Sequence, residues 1–244
     1  MRKSLGTLLL LLLLQPVLPH YKARYHVVVD TDGGPDDIRA ICLMLASPEI
    51  EIITITAVDG FLPPDQTVSQ LKDLLAEFGH QGIPVGTDAG RMMIEALALE
   101  DMPVDIIALG PLTNLALLLE REPESPVLVR KVYWHNDATE NRDVNYTRDS
   151  RSARIVMESR LDMDRVDMGE DLISLEKHFP AGLDSLSSRY AAAVKDLYLN
   201  PPPVLKDHPA MTRMGADGIP LYLLDDTTFQ VEFTGAEPLR RKVS

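Results

Sequence analysis

The chain has 244 residues, 45% of them apolar and 25% charged, with a formal net charge of -13 and one cysteine. That length suits a single α/β domain with a substantial core rather than two domains. The negative balance excludes a nucleic-acid binder, which needs basic patches to meet phosphates, and one thiol excludes an internal disulfide.

The amino terminus reads Met1-Arg2-Lys3, then an unbroken apolar run from Leu8 to Leu14, then Gln15-Pro16-Val17-Leu18-Pro19. Basic, apolar and then helix-breaking is the layout of a secretory signal. The run is too short to span a bilayer, where about 20 residues are needed. Residues 1–20 are therefore read as a signal peptide and 21–244 as one domain, exported to a periplasm or the exterior, with no stable membrane insertion after signal removal.

The first element of the domain is the apolar run Val27-Val28-Val29, a buried strand, and Ile41, Leu43, Met44 and Leu45 give the helical spacing that follows. Cys42 lies on that helix and reads as a small buried hydrophobe. Next come a strand over Ile50–Thr56, a helix with Val68, Leu71, Leu74, Leu75 and Phe78 on one face, and a short strand over Ile83–Val85. A helix over Met92–Leu99 and a strand over Val104–Ala108 continue the alternation. Gly110-Pro111 then opens a helix through Leu119, with Pro near the first position that its fixed φ favours. Val129–Trp134 reads as a strand, Ser150–Glu158 as a helix, Met163–Met168 as a strand and Ser185–Tyr198 as a helix. Pro201-Pro202-Pro203 is a stiff break, Ile219–Leu224 a short helix, and Arg240-Arg241-Lys242 a solvated end. Strand alternating with helix predicts an α/β fold, a mostly parallel open sheet flanked by helices around a Rossmann-like core.

Between the first strand and helix stands Asp30-Thr31-Asp32-Gly33-Gly34-Pro35-Asp36-Asp37, four carboxylates in eight residues. The carboxyl end of a strand is where open α/β sheets bind ligands. Acids this close repel one another and need protons or a cation between them. Calcium suits them, taking oxygen ligands in irregular geometry. A plainer reading has Asp36 and Asp37 favouring a helix N-terminus and Asp32-Gly33-Gly34 forming a turn; it explains the pairs singly but not all four acids together.

The loop resembles the D-T-D-x-G-x-D-D motif of the inosine-uridine preferring nucleoside hydrolases. Ala108-Leu109-Gly110-Pro111-Leu112-Thr113-Asn114-Leu115-Ala116 is similar to that family's G-P-L-T-N segment. Asp143-Val144-Asn145 resembles its E-F-N segment, and Ala216-Asp217-Gly218 its late H-D-P segment. The resemblance implies a nucleoside-hydrolase-like domain that cleaves the N-glycosidic bond of ribonucleosides, with Ca2+ as cofactor and a nucleoside or other N-riboside as small-molecule partner. Oligomeric state stays open. It also implies metal ligation by Asp32, Asp37, Asp217 and the carbonyl of Leu109, with Asp30 supporting the loop. Asp32 would be the base that deprotonates water, and Asp36, Asn145 and Asp143 would contact the ribose.

The chain departs from the family pattern at Ala216 where it has His, at Phe61 where it has Asn, in a shorter segment between Gly86 and Val104 that lacks its H-G pair, and at Val132-Tyr133-Trp134-His135-Asn136 where it is glycine-rich. His135 and Tyr133 are the candidate replacement proton donors, with His135 also a substrate contact, and Trp134 reads as core. Asn145-Tyr146-Thr147 also fits a glycosylation acceptor, and Asp207-His208-Pro209 is a rival for the late motif. Two other functions remain open from sequence. Asp30-Thr31-Asp32-Gly33 fits the D-x-D-G loop of haloacid-dehalogenase-like phosphatases, with Asp30 as nucleophile and Asp225-Asp226 as a late acidic motif; alternatively, the chain binds ribose or nucleoside with calcium and does not turn it over.

Overall fold

The computed structural model describes residues 23–136, 144–167, 189–200, 215–224, 229–234 and 237–242. The signal-peptide assignment, Asp143, the Pro201-Pro202-Pro203 break, Asp207-His208-Pro209 and Asp225-Asp226 lie outside these residues.

The strands are β1 (Tyr25–Thr31) and β2 (Ile50–Ala57), both rich in β-branched residues, β3 (Val85–Gly86), β4 (Val104–Ala108), β5 (Val129–His135), β6 (Met163–Asp167), β7 (Phe229–Thr234) and β8 (Glu237–Lys242). The helices are α1 (Pro35–Ala46), α2 (Pro64–Phe78), α3 (Ala89–Leu99), α4 (Thr113–Arg121), α5 (Val144–Arg148), α6 (Ser150–Met157), α7 (Arg189–Leu199) and α8 (Gly218–Leu224). The strands form one sheet in the order β3-β2-β1-β4-β5-β6-β8-β7. All pairings are parallel except that of β7 with β8.

Both faces of this sheet are covered, which explains why its strands read as continuous apolar runs. Successive side chains of a strand point to opposite faces. Val27 and Val29 therefore join Ile41, Leu71, Leu75, Phe78 and Ile219 in one cluster, while Val28 joins Met93, Leu97, Leu115, Val132, Trp134 and Val156 in the other. Each large apolar side chain fully buried in this way contributes about 1.5–3 kcal/mol. The chain winds outward from β1 to β3, then crosses back to β4 on the other side of β1. That reversal opens a crevice at the carboxyl ends of β1 and β4, the usual ligand position of such sheets.

Three expectations need correction. The helix expected to open at Gly110-Pro111 begins at Thr113, because Leu109 N–H stays in the sheet's hydrogen bonding, donating to the Asp30 carbonyl at 2.8 Å, and Gly110-Pro111-Leu112 is used as a loop. The strand expected over Ile83–Val85 is only Val85–Gly86, since Pro84 has no N–H to give the ladder and contributes its carbonyl to Ile55 instead. Arg240-Arg241-Lys242, expected as a chain end outside the sheet, is part of β8, whose backbone pairs in parallel with β6. No helix among the described residues is long and apolar enough to cross a membrane.

Candidate active site

The acidic loop leaves β1 as an ordered turn. Gly34 N–H donates to Asp32 Oδ1 at 3.3 Å, Gly33 N–H to the Thr31 hydroxyl at 3.1 Å, and Leu62 N–H to the Asp32 carbonyl at 3.0 Å. Gly33 has φ +79°, a conformation that costs glycine nothing and strains other residues. From the loop after β2, Gly60 passes so close that a Cβ there would lie 2.2 Å from Asp32 Oδ2. This approach lets the Phe61 backbone N–H reach the Asp32 carboxylate. The position where the family pattern has Asn therefore contributes its main chain.

Asp30 lies under the loop, 1% exposed, with Oδ1 accepting from the Thr56 hydroxyl at 2.6 Å and from Asn114 Nδ2 at 2.8 Å. Thr56 is its register neighbour on β2, and Asn114 comes from the first turn of α4. Burial pushes the Asp30 carboxyl up to about 7 despite these donors. A carboxylate clamped and covered in this way is not presented to a phosphate ester, which removes the nucleophile of the phosphatase reading. Asp30 supports the loop instead.

Asp32 and Asp37 are nearly inaccessible. Asp37 Oδ2 accepts from the Thr31 hydroxyl at 2.5 Å and from Asp32 N–H at 3.2 Å. Burial, then the charges of Asp32 and Asp36, holds Asp37 well above the ordinary carboxylate range. Asp32 is also raised, chiefly by burial, with Asp36 adding to it. Arg148 of α5 approaches Asp32 Oδ2 at 3.8 Å. Asp36 projects from the start of α1, accepts Ala216 N–H at 3.1 Å, and lies 4.0 Å from His135 Nε2 at the end of β5.

Asn145 of α5 is buried, and its Nδ2 donates to the Leu109 carbonyl at 2.8 Å and to the His135 carbonyl at 3.3 Å. An amide turned inward onto two strand ends has no room for a glycan, so the acceptor reading falls. Tyr133 lies on the opposite face of β5 from His135's neighbour Trp134. Burial raises its hydroxyl above the usual range, and the charged groups it senses are Asp105, Arg130 and Asp164 toward the amino ends of the strands. Its ring packs edge-on against Tyr222 of α8, centroids 6.0 Å apart, within the apolar cluster that holds Ile219 and Leu223. Trp134 is fully buried behind the loop, its indole N–H donating to the Gly110 carbonyl at 3.1 Å.

Asp217 is 1% exposed, and both its oxygens meet Arg39 of α1, at 3.0 Å from Nε and 2.9 Å from Nη2. Gly215 N–H adds a bond at 3.3 Å. Asp32, Asp37 and the Leu109 carbonyl have the hard-oxygen chemistry of a calcium or magnesium site, and the repulsion between the two acids is what such a cation would relieve. The fit is to three of the four donors that the family pattern implies. Among the described residues no three His, Cys, Asp or Glu side chains converge to hold a metal ion. Sequence reasoning missed Arg39 and Arg148, and also the Thr56 and Asn114 clamp. The Gly110–Asn114 segment was noticed only as a motif, and Arg39 sits in an apolar helix whose pattern hides it.

The model of the inosine-uridine preferring nucleoside hydrolases matches residues 27–98 and 86–197. The non-specific ribonucleoside hydrolase RihC of Salmonella typhimurium is 26% identical over 184 residues, 58% of this chain and 60% of that protein. RihC of Klebsiella pneumoniae is 27% identical over 182 residues, 57% of this chain and 60% of that protein. The matched stretch thus spans less than two thirds of these relatives. Among solved structures, the inosine-uridine preferring nucleoside hydrolase of Bacillus anthracis superposes with a TM-score of 0.71 at 13% identity, covering 90% of this chain and 94% of that one. The plant nucleoside hydrolase PpNRh1 gives 0.70 at 18% identity, covering 91% and 94%; at such identities these two show the fold. The acidic loop, the Leu109–Asn114 segment, His135 and Asn145 all fall inside the stretch matched by the family model, and by that match the chain belongs to the inosine-uridine preferring nucleoside hydrolase family.

Proposed function

We propose that this protein hydrolyses the N-glycosidic bond of ribonucleosides to ribose and free base, with calcium bound at the acidic loop. The observation that carries this reading is the gathering of Asp32, Asp36, Asp37, Asn145 and the Leu109 carbonyl at the carboxyl ends of β1, β4 and β5, in a member of this family. A divalent cation held by Asp32, Asp37 and Leu109 would supply Lewis acidity to water and ribose oxygens there.

The protein's own residues do the rest. Burial and neighbouring acids raise Asp32, which fits it to take a proton from the attacking water. Asp36 is directed to the ribose hydroxyls, and its bond from Ala216 N–H fixes its aim. Because the Asn145 amide nitrogen is committed to two carbonyls, its Oδ1 is the atom assigned to a ribose hydroxyl. Held this way, the sugar meets the water in one orientation, which removes much of the entropic barrier. Carboxylates around the anomeric carbon favour an oxocarbenium-like transition state. His135, with Nε2 close to Asp36, is assigned the proton that the departing base takes up, and Asp143 a further ribose contact. The first 20 or so residues are assigned to secretion by their basic and apolar layout.

The test is reducing-sugar release from a panel of purine and pyrimidine nucleosides by the full chain, in EDTA and in calcium. Calcium-dependent ribose release is the expected result. Calcium and ribose binding without release would instead mark a non-catalytic binding protein.

A further inference from the structure

The buried pair of Arg39 and Asp217 bears directly on the cation site. Asp217 opens α8, Arg39 lies near the start of α1, and the two helices pack together with Ile41, Ile219 and Leu223 in one core cluster. Both charged groups are 1% exposed in their side chains. The two N–H groups of the guanidinium meet the two carboxylate oxygens in the parallel, bidentate manner that Arg favours over Lys.

A carboxylate this deeply buried must be neutralised, by a proton, a metal or a cationic side chain. Arg39 supplies that positive charge here. Its charge is also felt by Asp36 and Asp37, whose carboxylates favour the charged guanidinium against the opposing effect of burial. A guanidinium paired with Asp217 competes with a divalent cation for that carboxylate, since each oxygen already accepts from Arg39, Oδ2 accepts from Gly215 N–H as well, and the two cations repel each other.

From this geometry we infer that Arg39 is a tethered counter-cation that withholds Asp217 from the metal, leaving a divalent-cation site built from Asp32, Asp37 and the Leu109 carbonyl. The inference rests on the cation-binding role of Asp32 and Asp37 in the proposed function. Two consequences distinguish it. The packing of α8 on α1 does not depend on metal, so the protein holds its fold in EDTA. Freeing Asp217 exchanges an arginine-filled position for a metal-filled one, so calcium binds more tightly.

The experiment uses calcium alone as the probe, with titration calorimetry and thermal melts on the full chain, on R39M, and on the double variant R39M/D217N. Met keeps the stem length and apolar bulk of Arg39 while removing its charge. R39M is expected to bind calcium at least ten times more tightly than the wild type and to show a larger calcium-induced rise in melting temperature. R39M/D217N, which removes both charges at once, is expected to keep the wild-type affinity within about threefold. Loss of calcium binding in the double variant would show Asp217 to be a ligand of the wild-type site and overturn the inference. So would R39M binding no more tightly than wild type, or remaining unfolded in millimolar calcium. Nucleoside hydrolysis by the wild type is read separately, so failure of the counter-cation idea and failure of the hydrolase reading give different results.

Discussion

Asn114 is the most informative residue to remove, because its role follows from two specific hydrogen bonds. Its Nδ2 donates to Asp30 Oδ1 at 2.8 Å and to the Ala57 carbonyl at 3.2 Å, so it ties α4 to the ends of β1 and β2. In Asn114→Ala both bonds vanish. A hydrogen bond to a charged group contributes about 1.5–3 kcal/mol and a neutral one about 0.5–1.5, so the expected loss at pH 8 is about 3 kcal/mol. That is roughly a hundredfold in the unfolding constant, since each 1.4 kcal/mol is about tenfold. The loss also depends on pH. Asp30 has a folded pKa of about 7, raised by burial, against about 3.9 in an unfolded chain. A raised carboxyl contributes stability that is fully present below its unfolded value and lost as pH rises through its folded value. Asn114 limits that loss by favouring the ionised form, so removing it steepens the decline. At pH 5, with Asp30 protonated, the variant should lose only about 2 kcal/mol. Urea unfolding of both proteins in EDTA at pH 5 and pH 8 measures this; a loss under about 1 kcal/mol at pH 8, or one independent of pH, would refute the clamp.

Four further outcomes are expected. His135→Gln should cut kcat on natural nucleosides by about 10²–10⁴-fold, the usual value of a general acid. It should spare p-nitrophenyl riboside, whose leaving group departs unprotonated, and equal losses on both substrates would reduce His135 to a structural part. Gly60→Ala places a Cβ 2.2 Å from Asp32 Oδ2, so it should abolish riboside turnover while costing only about 1–3 kcal/mol of stability, checked by turnover and a urea melt together. Asp37→Asn should eliminate calcium binding by titration calorimetry, and retained tight binding would sink the ligand assignment. Cys42 is 1% exposed, with its thiol pushed by burial up to about 12, so Ellman's reagent at pH 8 should modify it only at the rate the protein unfolds.

The strand and helix alternation was legible because a doubly covered sheet requires continuous apolar strands, and runs such as Val27–Val29 and Val104–Ala108 have few other uses. The acidic loop was legible because four acids together are costly without a purpose. Contacts distant in sequence were not. Arg39 meets Asp217 across 178 positions, and nothing near either residue signals the other. β8 was hidden for a different reason. Its Arg240-Arg241-Lys242 run has the composition of a solvated tail, yet pairing with β6 and β7 depends on backbone groups that composition does not show. The start of α4 was misplaced because Pro111 satisfies the rule for a first helical position, while the Leu109 amide and the Gly110 carbonyl were already engaged by Asp30 and Trp134.

Trp134 is the only tryptophan of the chain, and its indole N–H rests on the carbonyl of the residue next to Leu109. Buried indoles emit at short wavelength, and their intensity responds to the dipole they donate to. A ligand that drew on the Leu109 carbonyl would act on the peptide unit adjoining the one this ring contacts. Trp134 is thus an intrinsic optical probe one peptide bond from the proposed site, against which cation and riboside binding can be tested by stopped-flow emission without an added label.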